Sequence, residues 1–180
     1  MTPRELLEYR ALRATIRERG TARIWVFTAG IAAWSALVLA TTVLMPTPIA
    51  TLLPLLLLAA TFEAILALHV GVERIGRYLQ VFHEAPDERA SWEEVAMTFG
   101  PPLRGTHTDA LFVVCFAIAT VLNFTPVLLA SPVAVEILVI GAAHLGFLAR
   151  MMAARRAAAQ QRAADLARFR EMRDHAPAAR

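Results

Sequence analysis

The sequence contains no lysine, and all 18 of its basic residues are arginine. Its one cysteine, Cys115, excludes an internal disulfide, a CxxC redox pair and a cysteine-based zinc site. Only 18% of the residues are charged, whereas 57% are hydrophobic and the mean hydropathy is +0.51. This composition excludes a disordered chain, and it exceeds the apolar share of ordinary soluble domains. Because the hydrophobic residues occur in long blocks, the sequence indicates a membrane protein.

Catalytic motifs are missing as well. The sequence has no G-x-S-x-G elbow, no Walker loop and no G-x-G-x-x-G turn, and its histidines show no H-x-x-x-H spacing. We therefore predict that the protein is not an enzyme and holds no metal ion. One alternative is a membrane enzyme that acts through residues 73–109, where the candidate side chains are His83, Glu84, Glu93, Glu94, His107 and Asp109.

Four apolar runs are long enough to cross the ~30 Å hydrocarbon layer of a bilayer as helices. Pro46 and Pro48 separate the first two runs, and Ser131 and Pro132 divide the last two. A single very long helix in place of the last two is the alternative. The predicted spans cover about residues 24–45, 49–72, 108–130 and 133–152.

The segment before the first span favours a helix of its own. Thr2 and Glu5 match a capping box, and Pro3 suits the first helical position. We predict an amphipathic helix over residues 2–19 that ends at Gly20. Its apolar face consists of Leu6, Tyr9, Leu12 and Ile16.

The two remaining polar segments also predict helices. Residues 91–94 (Ser-Trp-Glu-Glu) match a capping box within the loop 73–107, and the tail after the fourth span is rich in helix-forming Ala and Arg up to Pro177. The expected fold is therefore all-α, an integral membrane four-helix bundle that forms one domain over residues 1–180. Its amphipathic cytoplasmic helices lie in the N-terminal segment (1–20), the loop (73–107) and the C-terminal tail (153–180).

The arginines mark one side of the membrane. The net charge is +3 over residues 1–23, −3 over 73–109 and +5 over 150–180. The turns at 46–48 and 131–132 lie on the opposite side of a four-span chain and carry no charge. The positive-inside rule therefore predicts a multi-pass protein of a bacterial-type inner (cytoplasmic) membrane, with both termini in the cytoplasm.

Glu63 is the most informative residue, because a bare carboxylate inside a span costs several kcal/mol. Counting along the helices places Glu63 roughly 20 Å deep and His144 roughly 16 Å deep, so we expect the two side chains to meet. Asn123 and Ser35 are further intramembrane polar candidates. Such residues form a structural hydrogen-bonding cluster, a proton or ion pathway, or a contact for a partner or cofactor.

Two histidines within the predicted spans, His69 and His144, are candidate ligands of a pigment or haem. Their depths differ by about 10 Å, which is too much for axial ligands on opposite faces of one macrocycle. One histidine that holds a tetrapyrrole alone is the remaining alternative. We predict no cofactor other than bound lipid.

Small residues recur four positions apart in the spans, and this spacing lets helices approach closely. The spacing is compatible with packing inside the bundle, with docking against helices of other chains, or simply with an alanine-rich composition. The pairs are Ala29 and Ala33, Ala32 and Ala36, Ala60 and Ala64, and Ala142 and Gly146.

The basic ends predict contacts with anionic lipid headgroups, worth about 1 kcal/mol per arginine near the surface. Nucleic acid is not an expected partner, because no aromatic residues are interleaved with the basic ones. The candidate headgroup ligands are Arg17, Arg19, Arg23, Arg74, Arg77, Arg150, Arg155 and Arg156.

Together these features favour a non-catalytic function. We expect an accessory subunit with a structural or assembly role in a larger inner-membrane complex, for example a respiratory, photosynthetic or transport complex. Its expected partners are membrane lipids and other membrane-protein subunits, which it would contact through its transmembrane helices and cytoplasmic extensions. The alternative is a small homo-oligomeric transporter or channel that uses the Glu63/His144 pair.

Overall fold

The chain is almost entirely helical in the part that the structure describes. The structure is a computed structural model that describes residues 2–83 and 108–175, and of residues 108–112 only the backbone is described. Helix accounts for 93% of these residues, and they contain no strand, which confirms the all-α class. The elements are α1 (Pro3–Leu44), a short 3₁₀ helix (Pro48–Thr51), α2 (Leu52–Phe82), α3 (Thr108–Leu129) and α4 (Ala134–Asp174).

Helix α1 begins as its capping box predicts. The Thr2 backbone N–H donates to the Glu5 carboxylate at 2.6 Å, and the Glu5 N–H donates to the Thr2 hydroxyl oxygen at 3.3 Å. The predicted end at Gly20 was wrong, because the helix continues without a break to Leu44. A glycine costs a helix interior only about 1 kcal/mol, and no proline follows it to force an end.

The predicted division between the last two helices is confirmed. Helix α3 ends at Leu129 and α4 begins at Ala134, which excludes a single long helix. Between them, Ser131 adopts a φ of 51°, a left-handed conformation that interrupts a helix. Helix α4 then continues to Asp174, as the composition of the tail predicts. The short helix predicted from residues 91–94 lies outside the described residues.

Three helices are long and apolar enough to cross a membrane, namely α1, the segment Pro48–Phe82 that contains α2, and α4. The described apolar part of α3, Val113–Leu129, is shorter. Large apolar side chains are exposed on all four helices, for example Trp25, Leu56, Val121 and Leu138. Because apolar surface exposed on this scale is unfavourable in water, the helices suggest a membrane protein.

The chain forms two compact units, and each is considered by itself. The charged unit contains the described residues 2–23, 67–83 and 156–175, and the apolar unit contains residues 24–66 and 108–155. Helices α1, α2 and α4 contribute residues to both units, whereas α3 belongs to the apolar unit. The sequence of the apolar unit contains only five charged residues, Glu63, Asp109, Glu136, Arg150 and Arg155.

Aromatic rings fill the core of the apolar unit. Phe116 of α3 is fully buried, and its ring centroid lies 5.9 Å from that of Phe27 in α1 and 5.6 Å from that of Phe62 in α2. Phe62 also contacts Phe147 of α4, with the ring centroids 5.9 Å apart. All three contacts are edge-to-face, a geometry worth about 0.5–1.5 kcal/mol beyond simple burial. One chain of rings therefore connects the four helices.

Helices α1 and α2 approach closely at Gly30, within the apolar unit. A Cβ added there would overlap the Thr61 side chain, with the hydroxyl oxygen at 2.6 Å and the Thr61 Cβ at 3.0 Å. The alanine and glycine pairs singled out from the sequence are exposed instead, so they are not the internal contacts of this unit. Gly30 was missed because the residues four positions away, Val26 and Trp34, are large.

We expect Gly30→Ala to destabilise the protein by about 1–3 kcal/mol, because the added methyl group overlaps the stiff, β-branched Thr61 side chain. Gly146→Ala on α4 is the matched control, since a Cβ there meets nothing within 4 Å. Thermal unfolding in detergent measures both variants. Gly146→Ala should leave the Tm unchanged or raise it, and equal Tm losses in the two variants would contradict the close contact.

Candidate functional site

A buried polar cluster lies in the apolar unit and is centred on Asn123 of α3, whose side chain is 0% exposed. The indole N–H of Trp34 donates to Asn123 Oδ1 at 3.1 Å. The Asn123 Nδ2 group donates to the backbone carbonyl of Thr51 at 2.9 Å and lies 3.0 Å from Nε2 of His144. The amide of Asn123 therefore joins α1, the 3₁₀ helix and α4.

The His144 ring is held in one tautomer. Its Nδ1 lies 2.8 Å from the carbonyl oxygen of Ile140, which only accepts, so Nδ1 carries the proton. Nε2 is then the acceptor for the Asn123 amide. The Phe124 ring packs against the imidazole, with the ring centroids 5.1 Å apart. Both nitrogens of His144 are thus engaged in hydrogen bonds.

These contacts make the cluster a structural hydrogen-bond network. Both polar atoms of the Asn123 amide and both ring nitrogens of His144 have partners, as buried polar groups require. A pigment or haem metal could bind His144 Nε2 only through the lone pair that already accepts a hydrogen bond from Asn123. Ser35 does not join the cluster, because it is exposed and its hydroxyl donates to the Ile31 carbonyl of its own helix at 2.9 Å.

Glu63 and His144, which were expected to meet, have separate partners. Nη2 of Arg150 on α4 donates to Glu63 Oε2 at 2.9 Å. The two side chains are 45% (Glu63) and 48% (Arg150) exposed. Glu63 therefore belongs to an interhelical ion pair at the surface of the apolar unit and not to the buried cluster.

The charged unit contains a network of ion pairs between α2 and α4. Arg77 is buried, with 3% of its side chain exposed, and it bonds Glu73 at 3.1 Å and Asp165 at 3.2 Å. Arg162 pairs with the second carboxylate oxygen of Glu73, and Arg74 lies 3.5 Å from Asp165. Two carboxylates thus bind three arginines and hold the two helices in one register.

Glu73 is the ionised centre of this network, one residue beyond the second predicted span. Burial raises the pKa of its carboxyl, but His69, Arg162 and Arg77 together outweigh burial and leave the pKa below the ordinary value of 4.5. The carboxylate is therefore charged at neutral pH. Because its pKa is lowered by folding, its contribution to stability is lost as the pH falls through that lowered pKa.

His69 also lies in the charged unit and has polar neighbours on both ring nitrogens. Nδ1 lies 3.1 Å from Nη1 of Arg23 and accepts from it, and Nε2 lies 3.6 Å from Glu73. A tetrapyrrole on His69 or on His144 stays a prediction. Across residues 2–83 and 108–175, no group of three or more His, Cys, Asp or Glu side chains could hold a metal ion.

Glu8 anchors the beginning of α1 to α2 within the charged unit. The Tyr78 hydroxyl donates to Glu8 Oε1 at 2.8 Å, and burial together with this bond raises the pKa of Tyr78. Nε2 of His83 lies 4.0 Å from the same oxygen, and the Tyr9 ring packs against the His83 ring. His83, a candidate of the enzyme alternative, thus lies in a packing contact, and the side chains of the other candidates are outside the described part of the chain.

The eight arginines predicted to bind headgroups have different surroundings. Arg77 is not placed for a headgroup, because Glu73 and Asp165 enclose its guanidinium. Three others have protein partners, since Arg23 binds His69, Arg74 binds Asp165 and Arg150 binds Glu63. The remaining four are exposed, namely Arg17, Arg19, Arg155 and Arg156.

Several members of these sites were not predicted from the sequence, among them Trp34, Thr51 and Asp165. Trp34 carries a signal that was not used, because an indole N–H inside an apolar run needs a hydrogen-bond acceptor. Thr51 contributes a backbone carbonyl, and no residue type marks such a group in advance. Asp165 lies 88 residues from Arg77, so only the fold shows that the two are neighbours.

Comparison with known proteins gave no relative: no family model, curated protein or solved structure matches this chain. The class of the protein therefore rests on its own structure. It is a helical protein with three candidate membrane-spanning helices.

We expect Asn123→Leu to destabilise the protein by about 1–3 kcal/mol, because it leaves the Trp34 N–H and the Thr51 carbonyl without their partner. Ser35→Ala is the control, since that hydroxyl bonds only its own helix, and it should change stability by less than about 0.5 kcal/mol. Chemical or thermal unfolding in detergent measures the difference. An Asn123→Leu protein as stable as the control would show that the cluster is not structural.

A second prediction separates two arginines of α2. Arg77→Gln should destabilise by about 3–5 kcal/mol, because it leaves Glu73 and Asp165 without the buried cation between them. Arg74→Gln removes the same charge from a side chain that is 54% exposed, so a change within about 1 kcal/mol is expected. Equal losses of the free energy of unfolding in the two variants would contradict a buried role for Arg77.

Proposed function

We propose that the protein is an integral protein of a bacterial-type inner membrane and that the apolar unit is its membrane-embedded part. The three candidate spans and the exposed apolar side chains support this placement. Helix α3 is 22 residues long, which at ~1.5 Å per residue is also enough for a span. The distribution of arginine supports a cytoplasmic location for both termini.

In that membrane, we infer that the protein serves as a structural or assembly subunit of a larger complex. The observation that carries this inference is the exposure of the Glu63–Arg150 ion pair in the apolar unit. A charge that faces lipid within a span costs several kcal/mol, whereas a neighbouring protein helix with a polar group lowers that cost. The pair therefore favours coverage by another subunit.

The residues around the pair fit a helix–helix interface. Leu56 and Ala60 precede Glu63 by two turns and one turn of α2 and are exposed. Gly146 precedes Arg150 by one turn of α4 and is exposed as well. Small residues let the helix of another chain approach closely. The alanine pairs of the sequence are exposed and do not pack inside this unit, so they are available for such a contact. The proposed occupant is a transmembrane helix of another subunit, with a hydrogen-bonding or charged side chain opposite the pair.

A homo-oligomeric transporter or channel is the second candidate. It requires Glu63 and His144 to work together, but Glu63 binds Arg150 and His144 binds Asn123. The saturated hydrogen bonds of His144 also leave no free ring nitrogen to relay a proton. The geometry therefore gives the assembly function more support.

We expect the tagged protein, extracted gently from its native membrane, to appear by native mass spectrometry with other membrane subunits in a fixed ratio. Glu63→Gln and Arg150→Gln should each weaken this association by about tenfold or more, because each leaves a buried charge without its partner. In the isolated chain both variants should keep the Tm nearly unchanged, since an exposed pair contributes about 0–1 kcal/mol.

The controls are Glu136→Gln and Arg155→Gln, which remove the same charges elsewhere in the apolar unit. Both should keep the complex intact. A homogeneous particle of this chain alone would contradict the subunit function and favour the transporter. Equal weakening by all four variants would contradict the proposed interface.

A further inference from the structure

A pocket of about 200 Å³ lies in the apolar unit, where α1 and α3 end. Thr41, Ala50 and Thr51 form a buried part of its wall, with only 4–6% of each residue exposed. Met45 and Leu129 line its rim and are 54% and 77% exposed. The volume is roughly that of seven water molecules and falls short of the ~300 Å³ at which drug-sized ligands fit. The pocket therefore suits a ligand group of a few non-hydrogen atoms.

The buried threonine hydroxyls of this pocket act as acceptors. Thr41 donates its hydroxyl proton to the Leu37 carbonyl of its own helix at 2.8 Å. Thr51 donates its hydroxyl proton to the Pro48 carbonyl at 2.7 Å. A hydroxyl has one proton and two lone pairs, so each oxygen keeps the capacity to accept a hydrogen bond from a ligand.

The helix ends add acceptors and negative potential. The last carbonyls of an α-helix have no N–H partner within the helix. The turn after α1 does not supply the missing donors, because Pro46 and Pro48 have no N–H and the Thr47 N–H donates to the Met45 carbonyl at 2.6 Å. The C-terminal ends of α1 and α3 both carry partial negative charge, which favours a cation. The described residues that line the pocket include no charged side chain, so this potential is not neutralised within the wall.

We propose that this pocket binds a primary ammonium group, with the hydroxyl oxygens of Thr41 and Thr51 as acceptors. An –NH₃⁺ group has three N–H donors and no acceptor, which matches a wall of hydroxyl oxygens and helix carbonyls. Its charge strengthens each of these hydrogen bonds. Carbonyls and C-terminal helix ends bind cations in the same way in membrane transporters. Met45 and Pro126 offer apolar surface for the carbon atoms next to the nitrogen.

Such a group occurs both in the ethanolamine headgroup of a phospholipid and in free small amines. The first apolar run of the sequence ends at Met45, which is where the headgroups of a bilayer lie relative to a span. The lipid source rests on the proposed membrane location, whereas binding of a free amine does not. Neither source depends on the proposed partner subunit.

The site is tested by titrating the detergent-solubilised full chain with phosphatidylethanolamine, and separately with phosphatidylcholine, whose quaternary ammonium has no N–H. Native mass spectrometry measures the bound lipid, and the wild-type protein should bind phosphatidylethanolamine more tightly. Thr51→Val should weaken that binding by about tenfold or more, the effect of losing one hydrogen bond to a charged group. The variant keeps the Thr51 backbone carbonyl that accepts from Asn123, so the buried cluster should stay intact.

Thr120→Val is the matched control, because Thr120 is also buried and its hydroxyl donates to the Phe116 carbonyl of its own helix at 2.7 Å, away from the pocket. It should stay within about twofold of the wild type, as expected for a distant site. Ala130→Leu narrows the pocket without removing a side-chain hydrogen bond and should also weaken binding. Equal weakening by Thr51→Val and Thr120→Val would overturn the site, as would unchanged binding by Ala130→Leu or no preference for phosphatidylethanolamine.

Free ethanolamine and ethylene glycol, which has a neutral hydroxyl in place of the ammonium group, separate the sources and test the charge. Displacement of the lipid by ethanolamine alone would show that the pocket recognises the ammonium group in any form. A lipid that resists both compounds would show that its acyl chains also contribute. Either result supports the site, provided that Thr51→Val abolishes the difference between the two lipids. Equal displacement by the two compounds would overturn the preference for a cation.

Discussion

The side-chain amide of Asn123 is the constraint on which the apolar unit depends. A polar group surrounded by apolar side chains is costly unless every donor and acceptor is satisfied, and Asn123 meets this requirement through Trp34, Thr51 and His144. Because these partners lie on different elements, the hydrogen bonds set the positions of α1, the 3₁₀ helix and α4 relative to α3. With the helices in these positions, the Phe116 ring makes edge-to-face contacts with Phe27 and Phe62. The apolar packing is thus consistent with the helix positions that the hydrogen bonds set.

The same physical rule explains the charged unit. Arg77 is almost fully buried, and its charge is tolerated because Glu73 and Asp165 lie within hydrogen-bonding distance of it. The Glu73 carboxylate stays ionised in return, since the surrounding cations lower its pKa. The Glu63–Arg150 pair differs from this network because it is half exposed in a unit with few other charges. That difference is why we propose that another molecule covers the pair, whereas the Arg77 network is part of the internal structure of the charged unit.

Helix positions were predictable where a local signal decides them. The Thr2–Glu5 box begins α1, and the break between α3 and α4 falls at Ser131, where left-handed backbone and a following proline prevent a helix. The predicted end at Gly20 failed because a glycine ends a helix only when the following residues leave the helical conformation. Counting depths along the helices also failed to predict the partner of Glu63. Similar depths do not show which faces of two helices point at each other. Arg150 reaches Glu63 because its side chain is long and the two faces meet.

The sequence by itself determined the long hydrophobic runs, the capping box and the concentration of arginine in three segments, since each depends on residues that are neighbours along the chain. These features specify an all-α chain with candidate spans and predict its orientation in a membrane. Only the tertiary structure decided that Asn123 and His144 form one cluster, that Arg77 is buried and that Gly30 lets α1 approach α2 closely. The reason is that such contacts join helices far apart in the sequence, so the rotation and register of each helix decide them.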